Sequence, residues 1–258
     1  MITDVMTRSS STQANIDRPA WVDGVVRAMP IVLGYLPIGF AYGVLAQQAG
    51  LSMTNTLLMS VMVYAGSSQL VAVGLFAQGV PALSIIITTF VVNLRHMLFS
   101  AALSPYLKRW GKGALAAFAY ELTDETFALH SALFSRSVPP KPTVFAINVT
   151  AQLSWVLGTG LGIVAGRYVT DVRPLALDFT LPAMFIALLV IQLKDRVDGA
   201  VALWGGIGSV VLTLLGLDRW SVILATVIAA TIGVILERGV NTAAQQDEEP
   251  PSAMEVAT

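Results

Sequence analysis

Charged and amide side chains sit in the middle of apolar runs long enough to cross a bilayer, and that placement narrows what this chain can become. The polar pieces are Ala65-Gly66-Ser67-Ser68-Gln69, Asn93-Leu94-Arg95-His96, and Glu121 with Asp124-Glu125. An ionisable group at membrane depth is costly and persists where it lines a pathway or binds something. The cluster therefore reads as a translocation site for a small solute. The remaining composition agrees: 55% of the 258 residues are hydrophobic and 12% are charged, against roughly 25% charged in an average soluble domain. With a mean hydropathy of +0.72, too few charges are present to cover the apolar surface in water. The expected fold is an all-α membrane protein, a polytopic helical bundle of about 7–8 hydrophobic segments.

Several function classes are excluded. Net charge is -1 and no basic stripe is present, so no nucleic-acid partner is expected. The absence of cysteine removes disulfides, thiolate metal sites and cysteine nucleophiles. Gly111-Lys112-Gly113 lacks the spacing and hydroxyl residue of a phosphate-binding loop. Neither a His-Glu-x-x-His pair nor a Gly-x-Ser-x-Gly nucleophile elbow occurs. No enzyme activity, cofactor or metal site is expected.

Residues 1–20 are polar and lack an apolar signal core, and 239–258 are acidic with two prolines. Both read as disordered cytoplasmic tails, leaving 21–238 as one transmembrane domain. About 20 apolar residues are needed per crossing, and candidate spans are 24–48, 53–78, 81–104, 142–166, 178–193, 197–216 and 219–237. Segment 113–135 has spanning length but carries Glu121, Asp124 and Glu125, which a continuous helix would gather near one face. It either crosses inside the bundle or dips and returns. If 53–78 is re-entrant and 113–135 does not fully cross, Lys108, Arg109 and Lys112 join the cytoplasmic side, which the positive-inside rule favours. Either topology puts both termini in the cytoplasm, and Trp21, Tyr106, Trp110, Tyr168 and Trp220 fall near span ends as an interfacial belt.

A weak internal repeat relates Gly39-Phe40-Ala41-Tyr42-Gly43-Val44-Leu45-Ala46 to Gly160-Leu161-Gly162-Ile163-Val164-Ala165-Gly166. Each is followed by a segment with a helix-breaking feature: Ala65-Gly66-Ser67-Ser68 in one half, Asp178-Phe179-Thr180-Leu181-Pro182 in the other. Matched broken segments point to two inverted repeats with broken or re-entrant helices and to a transport site between them. Pro30 and Pro37 around Gly34 predict a kink, and Gly39-x3-Gly43, Gly158-x3-Gly162 and Gly162-x3-Gly166 predict close helix packing.

A helix unwound at Gly66-Ser67-Ser68-Gln69 would expose a half-helix N-terminus suited to a carboxylate; packing of small residues is the structural alternative. Arg95 lies about ten residues from its span end and needs an acid, with Glu121, Asp124 and Glu125 the candidates. The pair either ties two helices together or joins a proton relay through His96. Phe40, Tyr64 and Asn93 complete the candidate substrate set, whereas His130, Asp171, Asp195 and Asp198 read as uninvolved.

Four strings occur in order: Gly34-Tyr35-Leu36-Pro37-Ile38-Gly39-Phe40-Ala41-Tyr42-Gly43, Tyr64-Ala65-Gly66-Ser67-Ser68-Gln69, Asn93-Leu94-Arg95-His96, and Leu122-Thr123-Asp124-Glu125-Thr126-Phe127-Ala128-Leu129. Together they make residues 24–236 resemble the AzlC family, the large subunit of bacterial branched-chain amino acid exporters. The resemblance implies export of valine, leucine, isoleucine and methionine by an inner-membrane, proton-driven antiporter. It also implies a small AzlD-type membrane subunit with about four helices as partner. Under this reading Gly66, Ser67, Ser68 and Gln69 hold the charged ends of the amino acid, Phe40 and Tyr64 border its side chain, and Arg95 pairs with Asp124 or Glu125. A passive channel and a non-transporting scaffold subunit are the rival readings.

Overall fold

The computed structural model describes residues 18–169, 174, 176–193, 196–217 and 224–235. The expected tails, Asp171, Asp195 and Trp220 lie outside the described residues, apart from the end of the first tail. In chain order the helices are α1 (Ala20–Gln48), α2 (Met53–Leu58), α3 (Gly66–Ala77), α4 (Ala82–Asn93), α5 (Arg95–Leu103), α6 (Lys112–Tyr120), α7 (Asp124–Phe134), α8 (Lys141–Gly166), α9 (Thr180–Gln192), α10 (Arg196–Leu214) and α11 (Leu224–Ile235). No strand occurs among the described residues. Among the described residues, four stretches are long and apolar enough to cross a membrane: α1, Ala82–Tyr106 (which contains α4 and α5), α8 and α10.

α1 and α8 run parallel, because their contacts advance in the same direction along both. A Cβ added to Gly39 would lie 2.8 Å from the Trp155 carbonyl oxygen, and one on Gly166 would lie 3.3 Å from Val44 Cα. Near the other end, the Thr143 hydroxyl donates to the Ala20 carbonyl at 2.8 Å. Lipid gives helices no hydrophobic reason to associate, so small residues that allow close van der Waals approach supply the adhesion. α1 continues through Pro30 and Pro37. The two strings that looked like a repeat, 39–46 and 160–166, therefore lie on neighbouring helices that face each other. A Cβ on Gly158 would stand 2.5 Å from the Leu36 carbonyl oxygen, so Gly158→Val should destabilise the bundle by about 1–3 kcal/mol or more through overpacking. Thermal unfolding in detergent checks this, and an unchanged midpoint would contradict the parallel contact.

The side of the bundle on which α1 begins is called proximal here, and the side on which it ends distal. The segment 53–78, a candidate span for which the charge bias favours re-entry, is a re-entrant hairpin from the distal side. Its descending arm is α2 followed by a π-helical turn, Met59–Val63. Thr56 lies beside Gln47, with Gln47 Nε2 donating to Thr56 Oγ1 at 3.3 Å. The returning arm α3 comes back to the same end of α1, where Leu70, Val73, Gly74 and Ala77 line a cleft of about 380 Å³ with Leu45, Gln48 and Ala49. Gln69 Nε2 donates to Ser60 Oγ at 3.3 Å, although nine residues of continuous helix would separate them by about 13 Å. The chain reverses at Tyr64, whose φ of 43° and ψ of 46° are left-handed. That conformation costs an L-residue roughly 1–2 kcal/mol. Burial of the ring and its edge contact with Tyr35, centroids 6.4 Å apart, hold it there.

Segment 113–135 resolves the same way, from the proximal side. The Phe118 and Phe134 rings stack with centroids 6.3 Å apart, where a continuous helix would separate them by about 24 Å. The helix stops at Glu121 and restarts at Asp124, so the three carboxylates do not share a helix face. Thr123 dictates the restart. Its Oγ1 accepts from the Thr126 amide at 3.3 Å, and Thr126 Oγ1 accepts from the Thr123 amide at 2.8 Å. This reciprocal cap satisfies two amides that a new helix would otherwise leave bare. Leu103, Leu107, Phe118, Leu122, Phe134 and Val144 close an apolar core around the hairpin.

Residues 20–77 are thus a crossing followed by a hairpin that dips from the distal side. Residues 82–134 are a crossing followed by a hairpin that dips from the proximal side. This is an inverted-topology repeat, with boundaries different from the two halves read in the sequence. Asp178–Pro182 is not a break within a span: a 3-10 turn, Leu177–Phe179, leads directly into α9, where Pro182 occupies the first turn. Proline is tolerated there because the first-turn amides have no intrahelical acceptor.

The chain divides into one unit ending at Leu181 and another starting at Pro182. Within the second, α10 and α11 pack antiparallel. Cβ atoms on Gly205 and Gly208 would lie 3.4 Å from Ala229 Cβ and 3.7 Å from Ala225 Cβ.

Candidate functional site

The tips of the two hairpins meet around the middle of α1. Each crossing of the inverted repeat contributes one side chain that touches both tips. From α1, the Tyr35 ring packs edge-on to Tyr64 of the first hairpin. Its Oη lies 2.6 Å from Thr123 Oγ1 and 2.6 Å from Glu125 Oε2 of the second. From the second crossing, Arg95 Nη2 donates to Ser67 Oγ of the first hairpin and forms an ion pair with Asp124 of the second, N to O 2.9 Å. The sequence left three acids open as partners of Arg95. The fold gives it Asp124 and gives Glu125 to Tyr35.

Local structure explains why these groups converge. The irregularity at Leu94 divides α4 from α5 and places Asn93, Arg95 and His96 beside the first hairpin. Ser68 Oγ donates to Asn93 Oδ1, and His96 Nδ1 lies 3.1 Å from the Asn93 carbonyl oxygen. α3 and α7 both begin at a tip, so their N-terminal amides, with partial positive charge, point into the site. Asp124 and Glu125 occupy the first turn of α7, where that dipole favours carboxylates. Gly66 lets the Trp155 indole lie against the start of α3: an added Cβ would be 2.8 Å from Trp155 Cη2.

Several buried polar atoms at or beside the tips lack a hydrogen-bond partner: Tyr64 Oη, Gln69 Oε1, Arg95 Nε and Trp155 Nε1. Orphaned buried groups are rare in native structures, since each costs about 1–3 kcal/mol. The set contains acceptors and donors, which is what a molecule bearing both an ammonium and a carboxylate could satisfy.

Of the residues singled out in the sequence, Gly66, Ser67, Ser68, Gln69, Tyr64, Asn93, Arg95, His96, Asp124 and Glu125 are brought to the tips or beside them. Phe40 is placed with Ala41, Val44 and Leu177. Tyr35, Thr123 and Trp155 were not identified, nor was the buried Ser60–Thr159 contact of 2.9 Å. The capping pattern Thr123-x-x-Thr126 was the available signal for the second tip; aromatic residues in apolar helices carry none.

Apolar crossings, an inverted repeat and a buried polar site at opposed hairpin tips define a polytopic helical membrane transporter. The chain belongs to the AzlC family, whose description is AzlC protein and which matches residues 30–169. That stretch contains both hairpins and both bridging residues. The chain is 34% identical to an uncharacterised membrane protein of Archaeoglobus fulgidus, over 78% of this chain and 89% of that protein. It is 32% identical to the inner membrane protein YgaZ of Escherichia coli, over 74% of this chain and 82% of that one. To the branched-chain amino acid transport protein AzlC of Bacillus subtilis it is 27% identical, over 80% of each. No solved structure matches it.

Proposed function

We infer that this chain exports small hydrophobic amino acids, valine, leucine and isoleucine foremost and methionine with them, as a proton-coupled secondary transporter. The observation that carries the reading is the pair of bridging side chains, Tyr35 and Arg95, set among unpartnered buried donors and acceptors. The start of α3, with Gly66, Ser67 and Ser68, suits a substrate carboxylate. Tyr64, Gln69 and Asn93 orient the charged ends, and Phe40 borders the hydrophobic side chain. Arg95, His96, Asp124 and Glu125 form the ion-pair and proton network. Protonating Asp124 would loosen its hold on Arg95 and so separate the tips. A proton drives a transition only when its affinity differs between the two states. The name of the Bacillus subtilis relative supports the substrate class.

Orientation follows from charge. Arg18, Arg27, Lys108, Arg109, Lys112, Arg136 and Lys141 lie on the proximal side of the first unit, and Arg167 on the distal side. This bias supports a cytoplasmic proximal side in a cytoplasmic membrane, and we propose that both termini are cytoplasmic. A small AzlD-type membrane subunit completes the exporter.

The test is valine efflux from cells preloaded with a valine-containing dipeptide, expressing this chain alone, with its neighbouring small membrane protein, or neither. Faster efflux that continues against a valine gradient is expected with both proteins. Efflux that stops when the gradient is level would identify a passive channel. No acceleration with both proteins in the membrane would reject valine as a substrate.

A further inference from the structure

A second polar cluster lies deeper in the proximal hairpin, and the site described above does not use it. His130 on α7 is completely buried, its ring between Phe118 and Phe134 with centroids 5.2 and 5.3 Å away. Its Nε2 donates to Asn148 Oδ1 on α8 at 2.7 Å. That bond puts the hydrogen of the neutral ring on Nε2 and leaves Nδ1 with a free lone pair, and Nδ1 has no partner. Asn148 is also completely buried, and its Nδ2 has no partner either. The amide interacts with the Glu121 carboxyl, although neither Asn148 Nδ2 nor Glu121 Oε2 has a partner within normal hydrogen-bond geometry.

Three adjacent side chains therefore each hold one unused polar atom, in a run from the helix core of the hairpin to its tip. A histidine kept only for packing would be expected to fill both ring nitrogens or give way to an apolar residue, since a half-satisfied buried polar network costs stability. No charged group besides Glu121 faces this cluster among the described residues.

We propose that His130, Asn148 and Glu121 form a second proton-binding centre, separate from the Arg95–Asp124 ion pair, whose state is carried to the hairpin tip through Asn148. A hydronium ion reaching the cluster from the proximal side gives its proton to His130 Nδ1 and leaves as water. The Nε2–H bond stays intact, so the ring becomes an imidazolium with one added N–H bond. The positive ring polarises the Asn148 amide and draws Glu121 onto its free Nδ2–H. Loss of the proton reverses these changes and releases Glu121 toward the substrate site. The coupling to transport rests on the exporter reading; proton binding at His130 does not.

The chain contains two histidines, His96 and His130, which makes a direct test practical. Full-length protein labelled with 15N-histidine in lipid bilayers is titrated by solid-state NMR, with His96→Gln assigning the signals. The expected result is a conversion of the His130 ring from the neutral to the doubly protonated pattern. In Glu121→Gln the midpoint should move to lower pH by about one unit, because a neutral amide no longer favours the imidazolium. A His130 signal that stays neutral from about pH 4 upward, or one indifferent to Glu121→Gln, overturns the proposal. In proteoliposomes, His130→Gln should lower the ratio of valine flux driven by a pH gradient to valine–valine exchange; an unchanged ratio overturns the link to transport. If the unaltered protein moves no valine, the exporter reading fails while the NMR result still decides the proton site.

Discussion

Arg95→Ala alone is expected to damage the protein more than Arg95→Ala combined with Asp124→Ala. The Arg95 and Asp124 side chains are 23% and 13% exposed and stand 2.9 Å apart. Removing the arginine strands a carboxylate at membrane depth and also releases Ser67 at the other tip. Breaking a buried pair from one side costs roughly 3–5 kcal/mol, and removing both partners relieves most of that penalty. The measurement is a double-mutant cycle on thermal unfolding in detergent, with folded yield as a second reading. A coupling energy near zero would mean that the pair contributes nothing to holding the hairpins together. Arg95→Ala with Glu125→Ala should give no comparable rescue, because Glu125 is held by Tyr35.

The second large effect is expected from Tyr35→Phe. The change keeps the ring against Tyr64 and Trp155 but deletes the hydroxyl that reaches Thr123 and Glu125. A hydrogen bond to a charged group contributes about 1.5–3 kcal/mol, so substrate exchange in proteoliposomes should fall about 10- to 100-fold if that bond sets the working geometry. The unfolding temperature should fall as well, since Glu125 is left buried with fewer donors. Wild-type exchange in Tyr35→Phe would remove the hydroxyl from the transport cycle. Tyr35→Leu, which also deletes the ring, should be worse than Tyr35→Phe by the loss of its contact with Tyr64.

Much of the first hairpin was legible in advance. Gly66, Ser67, Ser68 and Gln69 interrupt an apolar run with more polar atoms than helix packing needs, which points to a break or to close packing; the chain breaks just before them, at Tyr64–Ala65, and these four open the returning helix. The second hairpin was harder to read. Glu121, Asp124 and Glu125 share a face only if the helix continues, and periodicity favours continuation because Ala116–Tyr120 and Phe127–Phe134 are both good helical sequence. What ends the first arm is the cap at Thr123, a local hydrogen-bond pattern that competes with one more helical turn and wins once its hydroxyls are buried. The glycines of α1 and α8 showed that each packs closely on something, but spacing on one helix does not name its partner. Tyr35 and Trp155 were hidden for a related reason: an aromatic residue in an apolar helix has the same sequence signature whether it faces lipid or a polar tip. His130 was read as uninvolved because its position along the segment suggested a span end, whereas the reversal at Glu121–Thr123 buries it in the core of the hairpin.

The opposed hairpins also determine how deep in the membrane voltage the polar groups sit. A crossing spreads the potential over the full apolar thickness, about 30 Å. The tips place Tyr35, Ser67, Arg95 and Asp124 beside the middle of α1, far from either end of that crossing. A whole charge moved across the full potential exchanges about 2.3 kcal/mol per 100 mV. A proton that reaches Asp124 from one face has therefore crossed about half of the field, so its binding there depends on voltage as well as on pH.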